Sequence, residues 1–382
     1  MTALFIFASC VVFCAYTLAG YPLILWVLAR GRGRKIQKAP ARATVSVILP
    51  VFNGEQWIAA KLQSILGLTY PPELIEILVV DDGSTDTTRN IAGSFARHAN
   101  VQVLALPRGG KAAALNAAIA KATGEILFFT DVRQTLDPES LSKLVSCFAD
   151  PTVGVASGEL VILDSAGIEE ASVGLYWKYE KWIRKQLSRL DSVPGATGCI
   201  YAMRRSLARP LPPETLADDM FLPLGAFFAG YRVILDESAR AFDYPTQLAS
   251  EFRRKVRTLA GVYQVIGQYP ALIGPGNRMW IHFISHKLAR LVMPWALLAA
   301  AVSTAFLPEP WLTWMAAGQA LGYGLALADY LLPSAFPFKR LTSPFRTFLV
   351  LMAASMCAVS IFFLPPQRLW GRTQVSQSAS AN

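Results

Sequence analysis

Cysteine is scarce in this chain and never paired at metal-binding spacing. Of five cysteines, Cys10 and Cys14 share one face of an apolar helix, while Cys147, Cys199 and Cys357 stand alone. Without a CxxC pair the sequence offers neither a disulfide framework nor a zinc site, and the thiols read as small buried hydrophobes. Charge is scarce as well. Charged residues make up 16% of the chain and hydrophobic ones 53%, which excludes an ordinary soluble enzyme and points to membrane spans. His282 and His286 are spaced i, i+4, but no Glu follows His282, so the HExxH metal pair is missing and packed or interfacial histidines are expected. No GxGxxG follows the first strand pattern at residues 45–49, which removes a dinucleotide-binding dehydrogenase. Internal repeats and long low-complexity tracts are absent too, apart from a polar tail after Gln374.

What charge there is carries a bias. The net charge is +10, and much of it sits in runs 30–38 and 253–257 beside apolar stretches. Such runs face anionic headgroups or mark the cytoplasmic side of a membrane, so membrane lipid is the expected partner and nucleic acid is not. The first apolar segment, residues 3–28, is long enough to span a bilayer. Its positive charge follows the apolar core, unlike a cleaved signal peptide. Three more apolar stretches lie near residues 288–307, 311–332 and 347–364. Lys339, Arg340 and Arg346 fall between the last two, again a cytoplasmic mark. The expected organisation is an N-terminal span with basic flank (1–39), a cytoplasmic domain (40–250), an amphipathic segment (251–287), C-terminal spans (288–366) and a polar tail (367–382). The stretch 251–269 can lie at the membrane surface or pack on the domain.

Within the central domain, strand patterns at residues 45–49, 75–80, 101–106 and 126–129 alternate with helical patterns at 55–66, 84–98 and 111–122. This alternation predicts an α/β layer with a mainly parallel sheet. Ligands of such sheets bind at the carboxyl ends of the strands. Asn53, Asp81, Asp82 and Asp131 all fall there and are expected to converge on one crevice.

The runs VSVILPVFNGEQWIAAKLQSIL, IEILVVDDGSTD, GGKAAALNAAIAKATGEILFFTDVR and TLADDMFLPLGAFFAGYRVILDESARAFDYP occur in that order. They resemble a family-two glycosyltransferase of the membrane-bound branch that includes hyaluronan, cellulose and chitin synthases, over roughly residues 45–261. The resemblance implies a GT-A fold and inverting transfer from a nucleotide-sugar, most commonly a UDP-sugar. It implies a polysaccharide or lipid-linked acceptor and a bacterial inner-membrane location. Carried over residue by residue, Pro50, Asn53, Asp81 and Asp82 match the nucleoside side, and Lys111 the diphosphate side. Asp131 matches the first acid of DxD, which would hold Mg2+ or Mn2+. Asp219, with Asp218 before it, matches the acidic pair carrying the catalytic base, and a neighbouring carboxylate favours proton uptake. The chain departs from the pattern twice. Arg133 stands at the second acid of DxD, so the ion rests on Asp131 with waters and phosphate, or Arg133 pairs with phosphate itself. The processive QxxRW is reduced to Arg254 through Thr258, leaving Arg257 to neutralise diphosphate and removing the Trp.

Each motif has a plainer reading. DDGSTD is good turn chemistry, Lys111 can be a solvated helix start, Asp218 and Asp219 can cap a helix, and the arginines at 253–257 can meet headgroups. Rival functions are an inert nucleotide-sugar-binding membrane protein, a subunit of a polysaccharide synthase complex, and a transporter. Asp329 is the one acid well inside an expected span, which weighs against the transporter. The sugar, acceptor, linkage and oligomeric state are decided by surface and pocket shape, which no residue type reports.

Overall fold

The computed structural model describes residues 1–163, 175–244, 248–332 and 339–369. The chain divides into two compact units. The first comprises residues 32–171 and 187–245 and holds an eight-stranded sheet in the order β3-β2-β1-β4-β7-β6-β8-β5. Its strands are β1 Val45–Val51, β2 Ile75–Asp82, β3 Val101–Leu106, β4 Ile126–Phe129, β5 Thr135–Leu136, β6 Val153–Ile162, β7 Tyr201–Arg204 and β8 Arg232–Asp243.

The β3-β2-β1-β4 half is parallel, as the alternation of strands and helices predicts. The other half is not. β7 runs antiparallel to both β4 and β6, β8 is parallel to β6, and β5 is antiparallel to β8. The sheet is therefore mixed, which corrects the mainly parallel expectation. β7 lies between β4 and β6 and runs antiparallel to both, so its direction is set by partners distant in the chain, and the regular strand–helix alternation that makes the first half parallel does not carry on through the second.

β1 reads VSVILPV and is buried almost throughout, because helices cover both faces of a parallel sheet. One covering helix, Glu55–Leu66, buries Ile58, Lys61, Leu62 and Ile65 at i, i+3, i+4, i+7 spacing. Another, Lys111–Lys121, lays Ala112, Ala114, Leu115 and Ala118 on the sheet, where small side chains allow close approach.

The second unit comprises residues 1–31, 172–186 and 246–374. Among the described residues, Thr2–Arg32, Trp280–Thr304 and Leu341–Phe362 are long and apolar enough to cross a membrane. The sequence reading expected a fourth. Trp311–Leu331 is indeed a helix of 21 residues, but Gln319, Asp329 and three glycines leave it less apolar than the others. Large apolar side chains such as Phe5, Leu23, Trp314 and Leu331 stand exposed on these helices, as lipid-facing residues do. Several charged and polar side chains inside this unit are paired. Asp329 is fully buried and meets Arg346 at 3.1 Å and the Thr342 hydroxyl at 2.6 Å. His286 Nε2 lies 3.2 Å from Glu180, which also pairs with Arg290. His282 Nδ1 meets the Tyr21 hydroxyl at 3.2 Å. The basic, amphipathic stretch from residue 251 lies in one helix, Leu248–Gln268, where Glu251 pairs with Arg254 at 2.7 Å.

Candidate active site

Four strand ends of the first unit supply the candidate residues. Asp81 and Asp82 close β2, and both are buried. Asp81 accepts from the Ser84 amide at 3.1 Å and from Arg89 Nε at 2.9 Å. Asp82 accepts from the amides of Gly109, at 2.7 Å, and Gly110, at 3.0 Å, and also pairs with Arg108. The Arg108 guanidinium lies over the Phe52 ring at 3.6 Å. Asn53 has a positive φ of 48°, its amide donates to Ser84 Oγ at 2.9 Å, and its Oδ1 accepts from the Thr85 amide at 2.8 Å. The carboxyl ends of β1 and β2 and the glycine turn after β3 are thus tied into one rim, at which Pro50 is part of β1. Gly83, at φ +72°, is required here, since a Cβ would come within 2.7 Å of the Arg108 amide nitrogen.

Lys111 is the first residue of its helix, after Gly110 at φ +86°. A cation opposes the dipole at a helix N-terminus, so packing alone does not favour a lysine there. Its ammonium lies 3.0 Å from Asp131 Oδ1 and 3.2 Å from Asp218 Oδ2. Burial alone would lower its pKa, but Asp131, Asp218 and Asp219 outweigh it and hold the amine charged, with a raised pKa. Asp131 lies two residues past the end of β4, after Thr130, and its side chain is partly exposed. Asp218 and Asp219 begin the helix Asp218–Phe228. Its N-cap is Ala217 and makes no side-chain cap bond, so the two acids sit inside the first turn rather than capping it.

The segment just before β7 packs on that turn. The Ala196 amide donates to the Asp219 carbonyl at 2.7 Å. A Cβ on Gly198 would stand 3.1 Å from Asp219 Oδ2 and 3.4 Å from its Cβ. Glycine at 198 therefore sets where the Asp219 carboxylate rests. Gly198→Ala is expected to push that carboxylate by a few tenths of an ångström. Since about 1 Å of misplacement can cost 10²-fold, kcat should fall about tenfold. The unfolding midpoint should hold or rise slightly, because alanine restricts the unfolded chain. Steady-state kinetics beside a melting curve checks both.

One candidate of this unit is engaged by another partner. Arg133 pairs with Asp243, which also accepts from Gln134 Nε2 at 2.8 Å. Its guanidinium is mostly buried against that partner, so a role on phosphate would require this pair to open. Arg257 belongs to the helix Leu248–Gln268 of the second unit.

Two buried residues were not anticipated. The Tyr201 hydroxyl is buried without a hydrogen-bond partner among the described residues, with its ring stacked on Phe129 at 4.6 Å. Burial, then Asp218, Asp219 and Asp131, push its pKa well up. Lys61 is wholly buried behind the loop that carries Asp131. Its signal was present in the sequence: it occupies a core position in the period set by Ile58, Leu62 and Ile65.

The donor set suits a hard divalent ion in one respect and not another. Asp131 and Asp218 direct carboxylate oxygens at one cationic point, and Mg2+ or Mn2+ is commonly held by one or two carboxylates together with substrate phosphates. Among the described residues no group of three or more His, Cys, Asp or Glu side chains converges to hold a metal unaided. The residues fit an ion that arrives with, and is largely held by, a diphosphate.

Residues 46–211 match glycosyl transferase family 2, and residues 131–364 match glycosyl transferase family group 2. The chain is 25% identical over 247 residues to the probable glycosyltransferase YdaM of Bacillus subtilis, covering 59% of this chain and 57% of that one. It is 29% identical over 231 residues to an N-acetylglucosaminyltransferase of Rhizobium meliloti, covering 56% of this chain and 54% of that one. The chain thus spans little more than half the length of these curated relatives. Among solved structures, the mannosyltransferase PcManGT of Pyrobaculum calidifontis, in complex with GDP-Man and Mn2+, superposes with a TM-score of 0.72 at 26% identity. That match covers 94% of this chain and 99% of the mannosyltransferase. The sheet, the acids at its strand ends and these matches agree, and the chain belongs to glycosyl transferase family group 2, as a glycosyltransferase of the GT-A fold.

Proposed function

We propose that this protein transfers a sugar, with inversion, from a nucleotide-sugar to a polysaccharide or lipid-linked acceptor at the cytoplasmic face of a bacterial inner membrane. A UDP-sugar is the first donor to test. The observation that carries the reading is the meeting of Asp131, Lys111 and Asp218 on one point, with Asp219 next in the chain and seated against Gly198. In this reading Asp219 takes the proton from the acceptor hydroxyl as it attacks the anomeric carbon. Lys111 supplies positive charge to the leaving diphosphate. Asp131 would be the carboxylate that holds Mg2+ or Mn2+, and such an ion would supply positive charge for the leaving diphosphate. Asp81, Asp82, Asn53 and Pro50 form the rim proposed to receive the nucleoside. In the free protein their carboxylates are engaged by Arg89, Arg108 and the glycine turn, so they act by shaping the rim as well as by contact. Arg257 enters this reading from its motif alone.

The GDP-Man and Mn2+ held by the similar mannosyltransferase support a nucleoside-diphosphate donor and a divalent ion. The three helices apolar enough to span a bilayer support the membrane site. The test is nucleoside diphosphate release by detergent-solubilised protein from each common UDP-, GDP- and dTDP-sugar, with Mg2+, Mn2+ or chelator. Release from one donor, lost on chelation, is expected. Silence with every donor, even with membrane lipid extract as acceptor, overturns the enzymatic reading in favour of a binding module or a synthase subunit that needs its partner.

A further inference from the structure

Lys61 lies in the middle of the helix Glu55–Leu66, on its apolar face, between Ile58 and Ile65. Its side chain is 1% exposed. Among the described residues it has no carboxylate in ion-pair contact. Its ammonium donates instead to the Thr130 hydroxyl at 2.5 Å and to the Gln134 carbonyl at 2.6 Å. Those two acceptors are the two ends of the loop that carries Asp131. The Thr130 hydroxyl in turn donates to the Cys199 carbonyl at 2.8 Å. Cys199 follows Gly198, the residue against the Asp219 carboxylate. One buried amine thus holds both ends of the donor loop and reaches, through a single hydroxyl, the segment that seats the proposed base.

A buried cation without an anionic partner is costly. Burial pushes the Lys61 pKa down to about 7, against smaller opposing effects of Cys199 and Asp131. A methionine of similar length would fill the same space without that cost. Residues that break a packing rule in this way tend to stand at functional sites.

We propose that Lys61 is a positioning residue for sugar transfer, stapling the loop 130–134 at both ends and, through Thr130, fixing that loop against the segment that seats Asp219. The proposal rests on the roles given above to Asp131 and Asp219. It makes Lys61 neither a metal ligand nor a proton carrier.

The experiment compares wild type, Lys61→Met, Thr130→Val and Asp219→Asn as full-length protein in detergent. Three readouts are taken: thermal unfolding, amide hydrogen exchange, and steady-state diphosphate release from the donor found in the screen. Lys61→Met should melt at or above the wild-type temperature. Exchange should rise at least about tenfold in residues 130–134 and 197–200 while other sheet segments stay protected. The kcat should fall about 10- to 100-fold with donor KM within about twofold. Thr130→Val, which removes the relay and one loop acceptor but leaves the Lys61 bond to the Gln134 carbonyl, should show a smaller fall in kcat and faster exchange at 197–200. It keeps the proposal open to refutation should Lys61→Met fail to fold.

A lysine of merely structural value would give the opposite signs. A lower melting temperature for Lys61→Met with exchange raised across the whole sheet, or unchanged local exchange and kcat, overturns the staple. Asp219→Asn separates the two readings. If it keeps turnover while Lys61→Met loses it, the base assignment fails and the staple stands. If it is dead while Lys61→Met is unaffected, the staple fails and the base assignment stands. Should no donor turn over, the exchange and melting results still decide whether the loop is stapled.

Discussion

Asp219→Asn is expected to reduce transfer about 10³-fold while leaving nucleotide affinity within about twofold. The substitution keeps size and shape and removes only the ability to accept a proton, and general base catalysis contributes about 10² to 10⁴-fold. Donor affinity should survive because the groups assigned to the diphosphate, Lys111 and Asp131, are untouched. The start of the helix Asp218–Phe228 should survive as well, since neither acid caps it and the bond from the Ala196 amide goes to the Asp219 carbonyl, not to its side chain. Single-turnover transfer together with calorimetric titration of the nucleoside diphosphate measures both quantities. Retained turnover would remove Asp219 from the chemistry and turn attention to Asp218, whose carboxylate already faces Lys111.

The contrast between these neighbours shows what a sequence makes legible. Asp81, Asp82 and Asp131 could be placed because each ends a run of buried β-branched or aromatic residues, and a strand end is a position that periodicity reports. Lys111 could be placed because a glycine pair precedes an alanine-rich helix. The direction of the later strands could not be read. β7 has only four residues, and its antiparallel pairing with β4 and β6 is decided by long-range partners rather than by its own pattern. Arg133 was visible as a departure from two acids, yet its destination depended on Asp243, 110 residues later in the chain. Lys61 lay on an apolar helical stripe, where a charge is a local contradiction. Its meaning came only from the two loop oxygens it reaches across the fold. Residues that act through backbone carbonyls leave little compositional trace, because any sequence supplies carbonyls.

The same geometry assigns a second large effect to Lys111→Met. In the free protein one ammonium stands between Asp131 and Asp218, with Asp219 adding to the field that keeps it charged. Removing it leaves two carboxylates facing one another, and like charges at such a distance disfavour ionisation of both. The leaving diphosphate also loses a fixed positive partner, and deleting one such electrostatic contact typically costs about 10² to 10³ in rate. The kcat/KM for donor is therefore expected to fall by about that factor. A divalent ion is the natural replacement for the lost charge, since two carboxylate oxygens aimed at one point match its preference for oxygen donors. The variant should accordingly bind Mn2+ more tightly than wild type in the absence of nucleotide, as read by the loss of the free-ion paramagnetic resonance signal, and millimolar Mn2+ should restore part of its activity. If Lys111 were a solvated helix start, neither Mn2+ affinity nor turnover would change. Tighter Mn2+ binding without loss of turnover would mean that Lys111 guards the ion's place between the acids but does not meet the diphosphate. Loss of turnover without tighter Mn2+ binding would mean that it serves the diphosphate from a position the ion never enters.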